Sequence, residues 1–177
     1  YITEMDKSFS NGHRIVTGYR NSKNYGTNWI SAGYSLWFLR ETRYLNGARS
    51  LLHTSCAVSG TGFLFDREIL QRKSGWTYFL LTEDIEFTID NILQGERIGY
   101  CGTAILYDEQ PTTFRQSWRQ RLRWAKGYLQ VLSRYGGRMV KGGFGKNGFS
   151  CFDMTMTIMP AIVLTMFTVL LNVSMAI

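Results

Sequence analysis

The sequence has little cysteine, and its three cysteines lie far apart. Cys56, Cys101 and Cys151 form no C-x-x-C pair. An odd number of widely spaced cysteines argues against a disulfide framework, and no spacing typical of zinc ligands occurs. We therefore expect the three thiols to be buried as small apolar side chains.

Acidic residues are almost missing from the last third of the chain. From Gln110 onward the sequence holds nine of its 20 Lys and Arg residues but only one of its 13 Asp and Glu residues, Asp153. The part up to Glu109 is close to neutral, so the net charge of +7 comes from this last third. Such a basic segment suits nucleic acid, anionic lipid or a phosphorylated ligand.

Charge is absent from Met154 to Ile177, a run of 24 residues. As a helix this run would be about 36 Å long, enough to cross a hydrocarbon core of roughly 30 Å. We therefore predict a transmembrane helix over 153–177, kinked at Pro160 and truncated at its end, in a chain that is a piece of a longer protein. Basic residues beside a span favour the cytoplasmic side. The expected location is the cell membrane, with the preceding part facing the cytoplasm.

The apolar periodicity of residues 1–112 changes repeatedly between that of a strand and that of a helix. Strands are predicted over 14–19, 56–65 and 97–107, and helices over 1–10, 27–53, a short segment from about 66, and 83–94. This alternation predicts an α/β layered domain over 1–112.

The segment 113–135 has the pattern of an amphipathic helix. Its apolar residues recur at helical spacing, with the basic residues on another side: Trp118, Leu122, Ala125, Leu129 and Leu132. A helix of this kind suits a membrane interface. Six glycines within 136–152 then predict a flexible basic connector.

Two carboxylates, Glu83 and Asp84, follow Thr82 between an apolar run and a predicted helix. A carboxylate at that position can point toward the crevice where open α/β sheets bind ligands. There it could take a proton from a hydroxyl that attacks a sugar carbon. Acids in the first turn of a helix also stabilise the helix dipole without any catalysis. The carboxylates alone leave both interpretations open.

A second group, Gln120, Arg123 and Trp124, follows about 36 residues later. Gln120 lies three residues before Arg123 and four before Trp124, so the three share one side of a helix. A guanidinium donates two hydrogen bonds to a diphosphate and stays charged. An indole offers a flat apolar face to the C–H bonds of a sugar ring.

Thr82-Glu83-Asp84, followed by Gln120-x-x-Arg123-Trp124 and the apolar segment, resembles the membrane-integrated family 2 glycosyltransferases. This group contains the cellulose, chitin, hyaluronan and poly-N-acetylglucosamine synthases. The resemblance covers nearly the whole chain. It includes the loop 58–62, which is similar to a loop that these enzymes place near the acceptor. It implies an α/β fold that is the acceptor half of a GT-A (Rossmann-like) domain, followed by an interfacial helix and a transmembrane helix.

The resemblance also implies roles for individual residues. Asp84 would be the general base, with Glu83 beside it. Gln120 and Arg123 would contact the donor diphosphate. The acceptor sugar would be bound by the remaining predicted site residues, which are Trp124, Gly60, Thr61 and Gly62.

The activity that the resemblance implies is an inverting transfer of a sugar from a nucleotide-sugar, such as a UDP-sugar, to a growing polysaccharide. The D-x-D metal motif of the family has no counterpart in this sequence. We therefore expect no metal site in this stretch, ligands for Mg²⁺ or Mn²⁺ upstream of residue 1, and no activity of residues 1–177 alone.

Three alternatives remain open from the sequence. One is a non-processive transferase that acts on a lipid or a lipid phosphate. Another is a membrane-anchored nucleic-acid binder that uses the basic stretch 115–146, although it leaves residues 82–84 without a purpose. The third is a non-catalytic scaffold. The favoured partners are a nucleotide-sugar donor, a glycan or glycolipid acceptor and membrane lipid, with no nucleic acid.

Overall fold

The computed structural model describes the backbone of residues 1–176, and the side chains of all of these except 160–164, 166 and 176. A three-stranded mixed sheet lies at the centre, in the order β2–β1–β3. β1 (Ile15–Ser22) pairs antiparallel with β2 (Phe63–Phe65) and parallel with β3 (Ile98–Asp108). Helices precede, connect and follow these strands, so the predicted α/β class is confirmed.

The helices follow the predicted order up to residue 112, where one predicted helix and one predicted strand differ locally. They are α1 (Ile2–Ser10), α2 (Trp29–Phe38), α3 (Asn46–Leu51), α4 (Arg67–Gln71), α5 (Glu83–Leu93), α6 (Phe114–Gly142), α7 (Gly148–Ile158) and α8 (Pro160–Ala176). The helix predicted over 27–53 contains a π-helical segment, Leu39–Leu45, between α2 and α3. The strand predicted over 56–65 is confined to β2, because Gly60 and Gly62 turn the chain with φ of +69° and +67°.

Helix α5 lies between two parts of the apolar core because it is apolar on opposite sides. Ile89 and Ile92 contact a cluster that includes Val131 of α6 and Met154 of α7. Phe87, on the other side of α5, belongs to a cluster beneath the sheet and stacks on Trp76 with ring centroids 5.6 Å apart. Because α5 begins with Glu83 and Asp84, these two contacts fix the position of both carboxylates.

The flexible connector predicted over 136–152 is wrong, because the structure continues α6 to Gly142 and begins α7 at Gly148. Met139 is buried between these helices. A Cβ atom at Gly142 would lie 2.8 Å from the Sγ atom of Cys151, so the glycine allows the two helices to approach closely. Packing therefore outweighs the low helix propensity of glycine in this segment.

The continuous transmembrane helix predicted over 153–177 is also wrong. Its first part belongs to α7, where Met154 and Ile158 are buried in the core. The helix breaks at Met159, because proline at the next position lacks an N–H and disfavours helical geometry in the residue before it. No helix within residues 1–176 is both long and apolar enough to cross a membrane. The predicted end, Ile177, lies outside the described residues.

Candidate active site

A cavity of about 370 Å³ lies where the π segment, the glycine loop (residues 58–62) and the start of α5 meet α6. Seven of the eight predicted site residues line it: Gly60, Thr61, Glu83, Asp84, Gln120, Arg123 and Trp124. Gly62 does not line the cavity, and its carbonyl instead accepts a hydrogen bond from the N–H of Gly18 on β1. The structure thus brings together two groups of residues that lie some 36 positions apart in the sequence.

Asp84 is one of the carboxylates that line this cavity. Its Oδ1 atom accepts a hydrogen bond of 2.9 Å from the N–H of Ile85. Burial raises the pKa of Asp84 to about 6, and the charge of Glu83 adds to this effect, while the hydrogen bond and the charge of Arg20 oppose it. A carboxylate with a pKa this close to neutrality is a suitable general base. Glu83 is exposed to solvent.

Arg20, at the end of β1, places a positive charge beside Asp84. Its Nε atom donates a hydrogen bond of 2.8 Å to Oδ2 of Asp108, at the end of β3, and its Nη2 atom contacts the same oxygen. Its Nη1 atom donates to the carbonyl of Ser59, 3.1 Å away. The guanidinium lies 3.8 Å above the ring centroid of Phe38. These contacts hold the strand ends, the glycine loop and α2 around one cation.

The glycine loop approaches this charged pair closely. A Cβ atom at Gly60 would lie 3.5 Å both from Oδ2 of Asp84 and from Nη1 of Arg20. The positive φ of Gly60 is also unfavourable for residues that carry a side chain. Glycine therefore keeps the backbone, and no side chain, next to the carboxylate.

Helix α6 presents its predicted site residues along one side. Thr113 caps the helix by accepting a hydrogen bond from the N–H of Gln116. Trp124 is partly buried, with its ring centroid 5.7 Å from that of Tyr34 and 6.0 Å from that of Phe38. Arg123 is exposed. Trp124 therefore anchors α6 on α2 as well as lining the cavity.

Four titratable residues of the cavity were not predicted from the sequence: Arg20, Glu41, Asp108 and Tyr128. Only Tyr128 carried a usable signal, because it follows Gln120 and Trp124 at helical spacing of four. Burial raises the pKa of the Tyr128 hydroxyl, and the charges of Asp84 and Glu41 act in the same direction. This hydroxyl therefore stays protonated and can donate a hydrogen bond.

A metal site is not found among the residues that the structure describes. Nowhere in that part of the chain do three His, Cys, Asp or Glu side chains come together in a way that could hold an ion. The carboxylates of the cavity are engaged differently, since Asp108 binds Arg20 and Asp84 accepts a backbone hydrogen bond.

Comparison with known proteins relates this chain to glycosyltransferases. Residues 5–177 match the model of the glycosyl transferase family group 2. A probable glycosyltransferase, YdaM, of Bacillus subtilis is 36% identical over 78 residues, which is 44% of this chain and 19% of that protein. A probable glycosyltransferase of Sulfolobus acidocaldarius is 31% identical over 113 residues, which is 63% of this chain and 24% of that protein.

A third relative has a more specific name. The poly-beta-1,6-N-acetyl-D-glucosamine synthase of Staphylococcus aureus is 35% identical over 77 residues, which is 44% of this chain and 19% of that protein. The chain thus matches less than a quarter of the length of each of these relatives. Its mixed sheet fits the GT-A fold.

Proposed function

The chain belongs to the glycosyl transferase family group 2. On that premise we propose that it is part of an inverting transferase. This enzyme moves a sugar from a nucleotide-sugar, such as a UDP-sugar, to a growing polysaccharide. The observation that carries the proposal is the meeting of Asp84 with Gln120, Arg123 and Trp124 in one cavity. A base, a cation and an aromatic face are the groups that such a transfer requires.

The proposed reaction assigns a separate step to each group. The acceptor sugar lies against Trp124, and Asp84 takes the proton of the acceptor hydroxyl as its oxygen attacks the anomeric carbon. The bond from that carbon to the nucleoside diphosphate breaks on the opposite side, which inverts the configuration. Gln120 and Arg123 donate hydrogen bonds to the departing diphosphate, whose negative charge increases as the bond breaks.

The proposal includes expectations that concern the rest of the protein. We expect Mg²⁺ or Mn²⁺ to neutralise the diphosphate when bound, with its ligands upstream of residue 1. Residues 1–177 alone are expected to be inactive for that reason.

We also propose that the protein acts at the cell membrane with its catalytic part facing the cytoplasm. Large apolar side chains are exposed along α6, namely Phe114, Trp118, Leu122 and Leu129. A helix with basic and apolar sides can lie in the interface of an anionic bilayer. Fractionation of cells that contain the full-length protein, with a protease applied from each side, tests both the location and the orientation.

Sugar transfer by the full-length protein is the direct test of the function. UDP-N-acetylglucosamine and UDP-glucose serve as donors, and both the release of UDP and the length of the product are measured. We expect a polymer, whose formation is slowed by roughly 10²–10⁴-fold in Asp84→Asn. Glu109→Gln should leave it unchanged, because the side chain of Glu109 is exposed and pairs with Lys23. A single sugar added to lipid would favour the non-processive alternative. Absence of both transfer and UDP release with every nucleotide-sugar would contradict the proposal.

A further inference from the structure

An acid and a tyrosine are among the polar side chains of the cavity that the proposed reaction does not use. Glu41 and Tyr128 line the same space as Asp84 and Trp124 but lie on different elements, the π segment and α6. The negative charges of Asp84 and Glu41 both raise the pKa of Tyr128. A carboxylate and a hydroxyl are thus held near the proposed base.

The π segment explains how Glu41 reaches the cavity. In this segment the neighbouring Thr42 is buried, and its hydroxyl donates to the carbonyl of Phe38 at 2.7 Å and lies 3.0 Å from the carbonyl of Arg20. These contacts fix the helix beside Glu41 against the wall of the cavity. Short π-helical insertions occur often at functional sites, where they change the direction of a side chain.

Glu41 keeps capacity to accept hydrogen bonds from a ligand. Its side chain is 18% exposed, whereas that of its ion-pair partner Arg40 is 59% exposed, so the pair reaches from the cavity to solvent. Burial raises the pKa of Glu41, while the charges of Arg40 and Arg49 lower it and that of Asp153 raises it. A carboxylate that burial has deprived of water is stabilised by a ligand hydroxyl that donates a hydrogen bond to it.

Tyr128 supplies the complementary donor. Its protonated hydroxyl makes no hydrogen bond within the part of the chain that the structure describes. The residue is on the side of α6 that carries Gln120 and Trp124. A ligand in the cavity that lies against Trp124 would meet a donor on α6, Tyr128, and an acceptor on the π segment, Glu41.

We propose that Glu41 and Tyr128 form a subsite that binds hydroxyl groups of the terminal acceptor sugar and so selects the acceptor. The carboxylate accepts from one sugar hydroxyl, and the tyrosine donates to a sugar oxygen. A site built to form such hydrogen bonds discriminates strongly against sugars that lack the matching group. This proposal rests on the proposed function and concerns the acceptor alone, leaving the donor to Gln120 and Arg123.

The test compares acceptor kinetics with donor kinetics in the full-length enzyme. The acceptors are β-1,6-linked N-acetylglucosamine oligomers and cello-oligosaccharides, each with the UDP-sugar that the wild-type enzyme uses. The variants are Glu41→Gln and Tyr128→Phe, which keep the shape of each side chain. Release of UDP without acceptor, by transfer to water, reports donor handling separately. The amount of folded protein in each preparation is measured by thermal unfolding, and equal amounts are compared.

We expect Glu41→Gln to raise the acceptor KM by about 10- to 100-fold and Tyr128→Phe by about 2- to 10-fold, from the loss of a charged and a neutral hydrogen bond. The KM for the UDP-sugar and the rate of its hydrolysis should stay within twofold of the wild type. Tyr44→Phe is a control in the same π segment, where the tyrosine is 64% exposed. Its acceptor KM should not change.

Arg40→Ala tests whether Glu41 acts only through its ion pair. If this variant reproduced the effect of Glu41→Gln, the subsite would be contradicted. The subsite would also be contradicted if the acceptor KM of Tyr128→Phe stayed at the wild-type value, or if hydrolysis of the UDP-sugar fell as much as transfer. If Glu41→Gln does not fold, Tyr128→Phe decides alone. A wild-type enzyme without transfer or UDP release would instead refute the proposed function.

Discussion

Gly127 of α6 lies directly against the side chain of Thr82, the residue that precedes the two carboxylates. A Cβ atom at Gly127 would lie 2.5 Å from Cγ2 and 2.7 Å from Oγ1 of Thr82, which is buried. This glycine is on the helix that carries Gln120, Arg123 and Trp124. The contact therefore sets the distance between the proposed base and the proposed diphosphate ligands.

Gly127→Ala is expected to push α6 away from Thr82 and lower sugar transfer by about tenfold or more, since small errors in the placement of reacting groups are costly. Overpacking of this kind also costs roughly 1–3 kcal/mol of stability. Gly137→Ala is the matched control, because a Cβ atom there meets nothing within 4 Å. It should stabilise α6 by up to about 1 kcal/mol and leave transfer unchanged. Equal activity of both variants would refute the positioning role.

Asp84→Asn is expected to lower kcat by roughly 10²–10⁴-fold, the usual contribution of a general base, while UDP binding stays near the wild-type value. In the wild-type enzyme kcat should fall as the pH drops below about 6, where Asp84 becomes protonated. Measurement of kcat between pH 5 and pH 8 tests this, at matched amounts of folded enzyme. A variant with more than half the wild-type rate would refute the assignment.

The same carboxyl should make the folded protein less stable at neutral pH. Burial raises the pKa of Asp84 from 3.8 to about 6, so the folded state binds the proton more tightly than the unfolded state. The free energy of unfolding should therefore fall as the pH rises from about 4 to 6. Asp84→Asn should remove this cost, raising stability at pH 7 by ~1–3 kcal/mol but not at pH 4. Denaturant unfolding at the two pH values checks the sign.

Replacing Arg123 and replacing Trp124 should impair different steps of the reaction. Arg123→Ala removes a cation from the leaving diphosphate and should lower kcat and weaken inhibition by UDP, with partial recovery in Arg123→Lys. Trp124→Ala should impair acceptor use and chain length while UDP inhibition stays nearly unchanged. It should also lower stability, since Trp124 contacts Tyr34 and Phe38. Unchanged kinetics in both variants, at equal amounts of folded protein, would contradict these roles.

Asp153→Ala should destabilise the protein by about 3 kcal/mol, because it leaves the buried guanidinium of Arg49 without its charged partner. Glu109→Ala breaks an ion pair between two exposed side chains and should cost less than about 1 kcal/mol. Denaturant unfolding of both variants provides the comparison. Equal losses of stability would show that the buried pair does not fasten α7 to α3.

The sequence predicts those parts of the site that depend on local pattern. Asp84 lies where the apolar periodicity changes to that of a helix, and Gln120 and Trp124 share a side of α6 because they are four residues apart. Their meeting in one cavity followed from the resemblance to a known family. The roles given to these residues stay predictions, as does the assignment of residues 1–112 to a partial catalytic domain.

The missed residues depend on contacts between distant parts of the chain. The contact of Arg20 with Asp108 joins positions 88 residues apart, and no local pattern marks it. Glu41 enters the cavity through a π segment, which interrupts the ordinary helical period. The burial of Met154 and Ile158 in the core was missed for another reason, because a run of apolar residues does not distinguish burial in a protein core from burial in lipid.

The contact between Arg49 and Asp153 also has a consequence for the order of folding, since it joins positions that are 104 residues apart. Arg49 also donates to the hydroxyl of Thr157, which lines the cavity. A chain emerging from the ribosome can form α2 and β1 early. The contacts of Arg49 with Asp153 and Thr157, however, cannot form until α7 has been synthesised. Contacts between such distant positions form late and slow the folding reaction. Ribosome-bound chains that end before α7 should therefore lack a complete acceptor pocket, however well their earlier elements have formed.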